Sequence, residues 1–168
     1  LKATIFQLTT DLEFGMDSFT DSGKTYGLGK QNYKYLVKEF GATFDGNGHM
    51  VYTNYGSFDN PINASYSVVF EKITGVVRNV KFQYNNYISD PGLSVLTLYN
   101  YGTVEDCLFY GWLVNRWPDG YAGPAAERTG LIMENHGIVN KCVLKNVYFQ
   151  DGTTNMHDRM YFIRRSYE

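Results

Sequence analysis

Gly102-Thr-Val-Glu-Asp-Cys107 decides the fold, because the same chain holds two ungapped counterparts of it. Gly75-Val-Val-Arg-Asn-Val80 precedes it and Gly137-Ile-Val-Asn-Lys-Cys142 follows it. Each reads glycine, a β-branched residue, valine, two polar residues and a small apolar residue. Another apolar residue follows two positions later, at Phe82, Phe109 and Leu144. Alternation of this kind marks short strands with one wet face and one buried face. The segments before each glycine correspond as well: Ser67-Val-Val-Phe70, then Leu93-Ser-Val-Leu96 with Leu98-Tyr-Asn100, then Gly130-Leu-Ile-Met133. The unit is short strand, polar turn, glycine, short strand. Gly75, Gly102 and Gly137 lie 27 and 35 residues apart (102 − 75 and 137 − 102). Periods of that length belong to solenoids.

Further out, Gly41-Ala-Thr-Phe-Asp-Gly-Asn-Gly-His-Met-Val51 reads as an earlier coil, with turn chemistry at Asp45-Gly-Asn-Gly48. Phe6-Gln-Leu8 and Asp11-Leu-Glu-Phe14 alternate like half-buried strands. Residues 30–40 are expected to form a helical turn or two covering an end. The fold predicted is all-β, a right-handed parallel β-helix with a protruding loop at 111–130. Coils stack at the ~4.8 Å strand spacing, so equivalent side chains form ladders. Val77, Val104 and Val139 make one, and Val80, Cys107 and Cys142 another. Parallel thiols in such a ladder point the same way, which favours a buried pair over a disulfide. On the wet face Glu105 falls between Arg78 and Asn140, an expected exposed charge pairing.

The whole chain, 1–168, reads as a single solenoid domain, within the usual ~100–200 residues for one. Residues are 43% hydrophobic, 17% aromatic and 19% charged, which excludes disorder. A net charge of −2 supplies no field for nucleic acid, and no apolar run approaches the ~18 residues of a membrane span. A chain starting at Leu1 without methionine is expected to be a processed form, a fragment, or a subunit of a larger assembly. Solenoid ends need caps, neighbours or partner chains, and 151–168 is expected to be a cap or interface segment.

At these residues the chain resembles the GLUG-motif β-solenoid repeats of bacterial surface proteins and phage adhesins and spikes. The resemblance rests on Phe44-Asp-Gly-Asn-Gly-His49, Gly130-Leu-Ile132, Asn100-Tyr-Gly-Thr-Val-Glu-Asp-Cys107 and Asn135-His-Gly-Ile-Val-Asn-Lys-Cys142. Phe6-Gln-Leu-Thr-Thr-Asp-Leu-Glu-Phe14 is similar to the strand pair before the first coil of such proteins, and the match spans most of 5–150. Lys141 departs from the usual Asn beside the cysteine, and Ser67-Val-Val-Phe70 lacks the leading glycine. The resemblance implies an extracellular, cell-surface or virion-surface setting and no cofactor. The repeat pattern, the aromatic-rich interval at 111–130 and the lack of a convincing catalytic set lead to the expectation of a non-enzymatic module for adhesion, glycan recognition and display. The alternatives are a polysaccharide-cleaving hydrolase or lyase and an architectural fibre or decoration subunit, since fold alone does not choose among them.

Candidate site residues concentrate in the longer interval, Gly111 to Gly130, which holds both tryptophans. Trp112, Trp117, Tyr121 and Arg128 offer flat rings and a cation suited to sugars, and Tyr110 lies beside them. Trp112 and Trp117 serve equally well as packing against the solenoid. Tyr84, Tyr87, Tyr99, Tyr101 and Tyr110 are expected as wall ladders that either bind glycan or stabilise the sheets. Glycan hydrolysis wants two carboxylates about 5–9.5 Å apart, and Asp119 with Glu127 is the loop pair offered for it. Glu134 and His136 flank Asn135 and form a second acidic candidate. His49, His136 and His157 are scattered, with no metal spacing. Expected partners are glycan, and other copies or adjoining domains at the solenoid ends.

Overall fold

The chain is described from a computed structural model, which covers residues 4–15, 19–21, 24–26, 35–55, 68–88, 94–115, 129–151 and 160–167. Three parallel sheets of five strands each carry the fold. Sheet A contains β5 (Tyr35–Phe40), β8 (Val68–Ile73), β11 (Ser94–Asn100), β14 (Thr129–Asn135) and β17 (Met160–Ser166). Sheet B contains β1 (Ile5–Gln7), β6 (Thr43–Asp45), β9 (Val76–Arg78), β12 (Thr103–Glu105) and β15 (Ile138–Asn140). Sheet C contains β2 (Leu12–Gly15), β7 (Met50–Tyr55), β10 (Lys81–Ile88), β13 (Leu108–Asn115) and β16 (Val143–Asp151). The chain runs A, B, C and returns to A one rung further along, which is a parallel β-helix. A short antiparallel pair, β3 (Phe19–Asp21) and β4 (Lys24–Tyr26), stands apart from this order.

The register follows the repeat. Val104 pairs with Val77 on one side and Val139 on the other. Phe44 lies opposite Val77, so Gly41–Val51 is the earlier coil that the sequence predicts. Buried wall positions are mostly apolar: Ile73, Val77, Phe82, Leu96, Val104, Phe109, Leu131 and Ile132 are buried, with Thr53 and Thr97 among them. Phe82 and Phe109 stack at 5.4 Å between centroids, a ladder contact one rung apart.

Each corner has its own chemistry. From sheet B to sheet C the chain turns at Asn79, Asp106 and Lys141, with φ of 55°, 51° and 49°. Short polar side chains tolerate this left-handed conformation, so the polar pair before Val80 and Cys107 is a turn requirement. In the first coil the same corner is longer. There the Asn47 N–H donates to Asp45 Oδ1 at 2.8 Å, and the His49 N–H donates to the Gly46 carbonyl at 2.8 Å. From sheet A to sheet B the inward residue is Asn100 or Asn135. Asn100 Nδ2 donates to Asn135 Oδ1 at 2.7 Å, and Asn100 Oδ1 accepts the Gly102 N–H at 3.2 Å. Two buried amides thereby satisfy each other and the turn below them. The larger differences in coil length fall between sheets C and A, where 89–93 joins one pair of strands and 116–128 the next.

Five expectations need correction. Tyr35–Phe40 is strand β5, not helix, and no helix occurs among the described residues. Phe40 packs at 5.2 Å on Phe70, so strand pairing and core contact outweigh local propensity there. The loop expected at 111–130 loses 111–115 to β13 and 129–130 to β14, because pairing with neighbouring coils continues. Tyr84 is not a wall residue: it shares the inward phase of Phe82 and is fully buried. Arg78 does not pair with Glu105. Its Nε reaches Asp45 Oδ2 at 3.0 Å, on the preceding rung. The Asn47 N–H, then Arg78 and Asn79, hold the Asp45 carboxyl below its ordinary range. Cys107 is buried but Cys142 is only half-buried, because Cys142 belongs to the last rung of sheets B and C.

Candidate functional site

The corner from sheet A to sheet B carries an exposed aromatic strip. The residues following β11, β14 and β17 are Tyr101, His136 and Tyr167. Parallel register stacks them directly. Tyr101 and His136 rings lie 4.6 Å apart at 6°, and His136 and Tyr167 rings 4.3 Å apart at 1°. Backbone bonds fix the arrangement: the N–H groups of Tyr101, His136 and Tyr167 donate to the carbonyls of Ile73, Asn100 and Asn135. All three residues are exposed, and the imidazole, covered on both faces, keeps 26% of its side-chain surface accessible. Their faces are turned toward one another, so the strip presents ring edges: two phenol hydroxyls and an imidazole, one per rung.

A charge ladder runs beside it. Glu39, Lys72, Tyr99, Glu134 and Arg165 occupy one register column of sheet A. Lys72 Nζ pairs with Glu39 at 3.0 Å and lies 5.7 Å from the centre of the Tyr101 ring. Glu134 holds Arg165 at 3.4 Å and approaches His136 Nε2 at 3.7 Å. The structure thus brings Glu134 and His136 together, as the sequence suggests, and adds Arg165 and Tyr167. Tyr167 carried no motif signal; only its register under a completed fifth strand reveals it.

The other predicted residues divide. Trp112 lies on β13 opposite Asn85 and Tyr148. Trp117, Asp119, Tyr121, Glu127 and Arg128 fall outside the described residues. Tyr110 is half-buried on the outer face of β13, and its hydroxyl donates to Met50 Sδ at 2.9 Å. An open depression on the same sheet is lined by Asp11, Leu12, Met50, Tyr52 and Gln83. Asp11 is engaged there by the Met50 N–H at 2.8 Å and by His49 at 3.3 Å, contacts that lower its pKa. Among the described residues no group of three or more His, Cys, Asp or Glu is placed to hold a metal ion. No helix among them is long and apolar enough to cross a membrane.

The two thiols differ. Cys107 Sγ donates to the Glu105 carbonyl at 3.2 Å, and Cys142 Sγ to the Asn140 carbonyl at 3.4 Å. The pairing of the two cysteines brings Cys142 down to about 7, whereas the same pairing and burial push Cys107 upward. Iodoacetamide is therefore expected to alkylate Cys142 in the native protein, with a rate that rises through about pH 7. Cys107 reacts only on unfolding. Peptide mapping after a timed quench checks this, and equal labelling of both thiols contradicts it.

Comparison with protein-family models, with curated proteins and with solved structures returned no match to this chain.

Proposed function

We propose that the protein is a non-enzymatic β-helix module, displayed on a cell or virion surface, that recognises glycan along its A-to-B corner. The observation that carries this is the exposed Tyr101–His136–Tyr167 stack with Glu134 and Arg165 beside it. Hydroxyl, imidazole, carboxylate and guanidinium groups recur at the rung spacing, which is close to the length of one sugar unit. A linear polysaccharide lying along the axis meets a hydrogen-bonding group at each step. Glu134 has Tyr99 and Arg165 as its column neighbours rather than a second carboxylate, which supports binding over hydrolysis. Trp112, on β13, and Trp117, Tyr121 and Arg128, in the sequence between β13 and β14, are offered as a second contribution. The surface setting follows from the GLUG-like repeats.

A panel of bacterial and host polysaccharides, followed for bound fraction and product chain length together, tests the reading. Bound and intact chains are expected. His136→Ala and Tyr101→Ala are each expected to weaken binding about tenfold, roughly the worth of one or two well-placed hydrogen bonds. Shortened chains sink the non-enzymatic reading and direct attention to Asp119→Asn and Glu127→Gln. Absence of binding favours the architectural alternative.

A further inference from the structure

The open depression on sheet C is built on interior strands. Met50, Tyr52 and Gln83 lie on β7 and β10, each of which is paired on both sides. Asp11 and Leu12, where the chain enters β2, complete the lining. Its volume is about 370 Å³, within the range of small-molecule sites. Tyr52, Gln83 and Tyr110 form one register column, and all three are half-buried. Tyr110 reaches across β10 to Met50, which brings its hydroxyl to the rim.

The bonds already made decide what a ligand must supply. The Met50 N–H, at 2.8 Å, and the His49 ring, at 3.3 Å, both engage Asp11 Oδ1. Among the described residues no hydrogen bond or ion pair engages Oδ2, and the side chain is 59% exposed. One oxygen thus fixes the carboxylate and the other stays open, and an ionised carboxylate only accepts hydrogen bonds. The Tyr110 hydroxyl gives its proton to Met50 Sδ, so toward a ligand its oxygen accepts too. Gln83 adds one more acceptor and two donors. A fitting ligand therefore brings several donors. Carboxylated or phosphorylated molecules bring acceptors and a charge like that of Asp11. An ammonium brings donors, but Lys81 already supplies positive charge beside Asp11. Hydroxyls on an uncharged ring meet both conditions. Two neighbouring hydroxyls can share Oδ2, while Leu12, Met50 and Tyr52 offer apolar surface to the ring carbons.

We propose that this depression is a second binding site, for one uncharged sugar unit carrying a vicinal diol. Asp11 and Tyr110 accept from its hydroxyls, and the Gln83 amide donates to a ring or hydroxyl oxygen. The site lies on a different wall from the Tyr101–His136–Tyr167 stack, and it stands whether or not that strip binds glycan.

Amide chemical shifts of the isotope-labelled full chain, titrated with methyl α-mannopyranoside, methyl β-glucopyranoside and methyl β-galactopyranoside, test it. At least one glycoside is expected to give saturable shifts at Met50, Tyr52 and Gln83 in the millimolar range. Asp11→Asn keeps an oxygen for the Met50 N–H but loses the charge, and is expected to weaken binding about tenfold. Tyr110→Phe, on another strand, is expected to weaken it about threefold. Unchanged shifts away from the depression show that both variants are folded. The analogue of the bound glycoside lacking one hydroxyl of the diol is expected to lose as much as Asp11→Asn does. No saturable shift with any of the three glycosides overturns the proposal, and so does an Asp11→Asn variant that binds like the wild type. Shifts confined to Tyr101, His136 and Tyr167 also overturn it, while leaving the corner reading in place.

Discussion

Gly102→Ala is expected to destabilise the protein by about 3 kcal/mol or more, the upper range for overpacking without room to relax. A Cβ on Gly102 sits 2.0 Å from the carbonyl oxygen of Gly75, and a Cβ on Gly137 sits 2.1 Å from that of Gly102. These carbonyls are not free to move aside. The Gly75 oxygen accepts the Thr103 N–H at 2.9 Å, and the Gly102 oxygen accepts the Ile138 N–H at 2.9 Å. Relief requires two coils to separate, at the loss of the bonds that hold them. Gly48→Ala is the control. Gly48 has φ of +76° but nothing lies within 4 Å of its Cβ position, so only the backbone penalty of about 1 kcal/mol applies. Urea denaturation of both variants checks the difference. Equal costs contradict the close stacking of coils at this column.

Phe109→Ala is expected to cost about 3–5 kcal/mol, which for a chain of this size lowers the melting temperature by about 10 °C. Phe109 is fully buried and touches three aromatic rings: Phe82 at 5.4 Å, Tyr84 at 6.5 Å and Phe162 at 5.5 Å. Phe162 belongs to β17, so the ring ties sheet C to the last strand of sheet A. In a stacked array stability is close to a sum of neighbour terms, and damage stays local. Amides of β14, β16 and β17 should therefore lose hydrogen-exchange protection before those of β6 and β7. Phe109→Leu keeps most of the buried area and is expected to cost about half as much. Uniform loss of protection across all coils contradicts a modular solenoid.

The repeat was legible because coil stacking imposes one environment on each column. Val77, Val104 and Val139 share an inward position, and three copies of one local pattern are enough to align it. The glycine before them was legible for the same reason, since no Cβ fits there. Asn100 and Asn135 were visible only as letters of a motif. That their amides turn inward and bond each other depends on register between residues 35 positions apart. Tyr84 misled because tyrosine suits either face of a strand, and here phase with Phe82 places it inside. Arg78 misled because the register offers it a partner on both sides. Asp45, held by the Asn47 N–H, is the better one. The Tyr101–His136–Tyr167 strip is half legible: Tyr101 and His136 stand out separately in the sequence, but their stacking is a consequence of three-dimensional register. Tyr167 sits in a segment with no repeat signature, so the sequence offered no way to align it.

In-register stacking of the coils underlies the fold and the strip, and one distance tests it. Ile5 and Ile138 are outward, exposed, and four rungs apart in sheet B. With Cys107→Ser and Cys142→Ser to remove the native thiols, spin labels on Ile5→Cys and Ile138→Cys report their separation by pulsed dipolar spectroscopy. Dilution with unlabelled protein keeps neighbouring copies silent. The account predicts a narrow distribution near ~19 Å, four times the strand spacing. A broad distribution, or one centred well beyond that spacing, contradicts it.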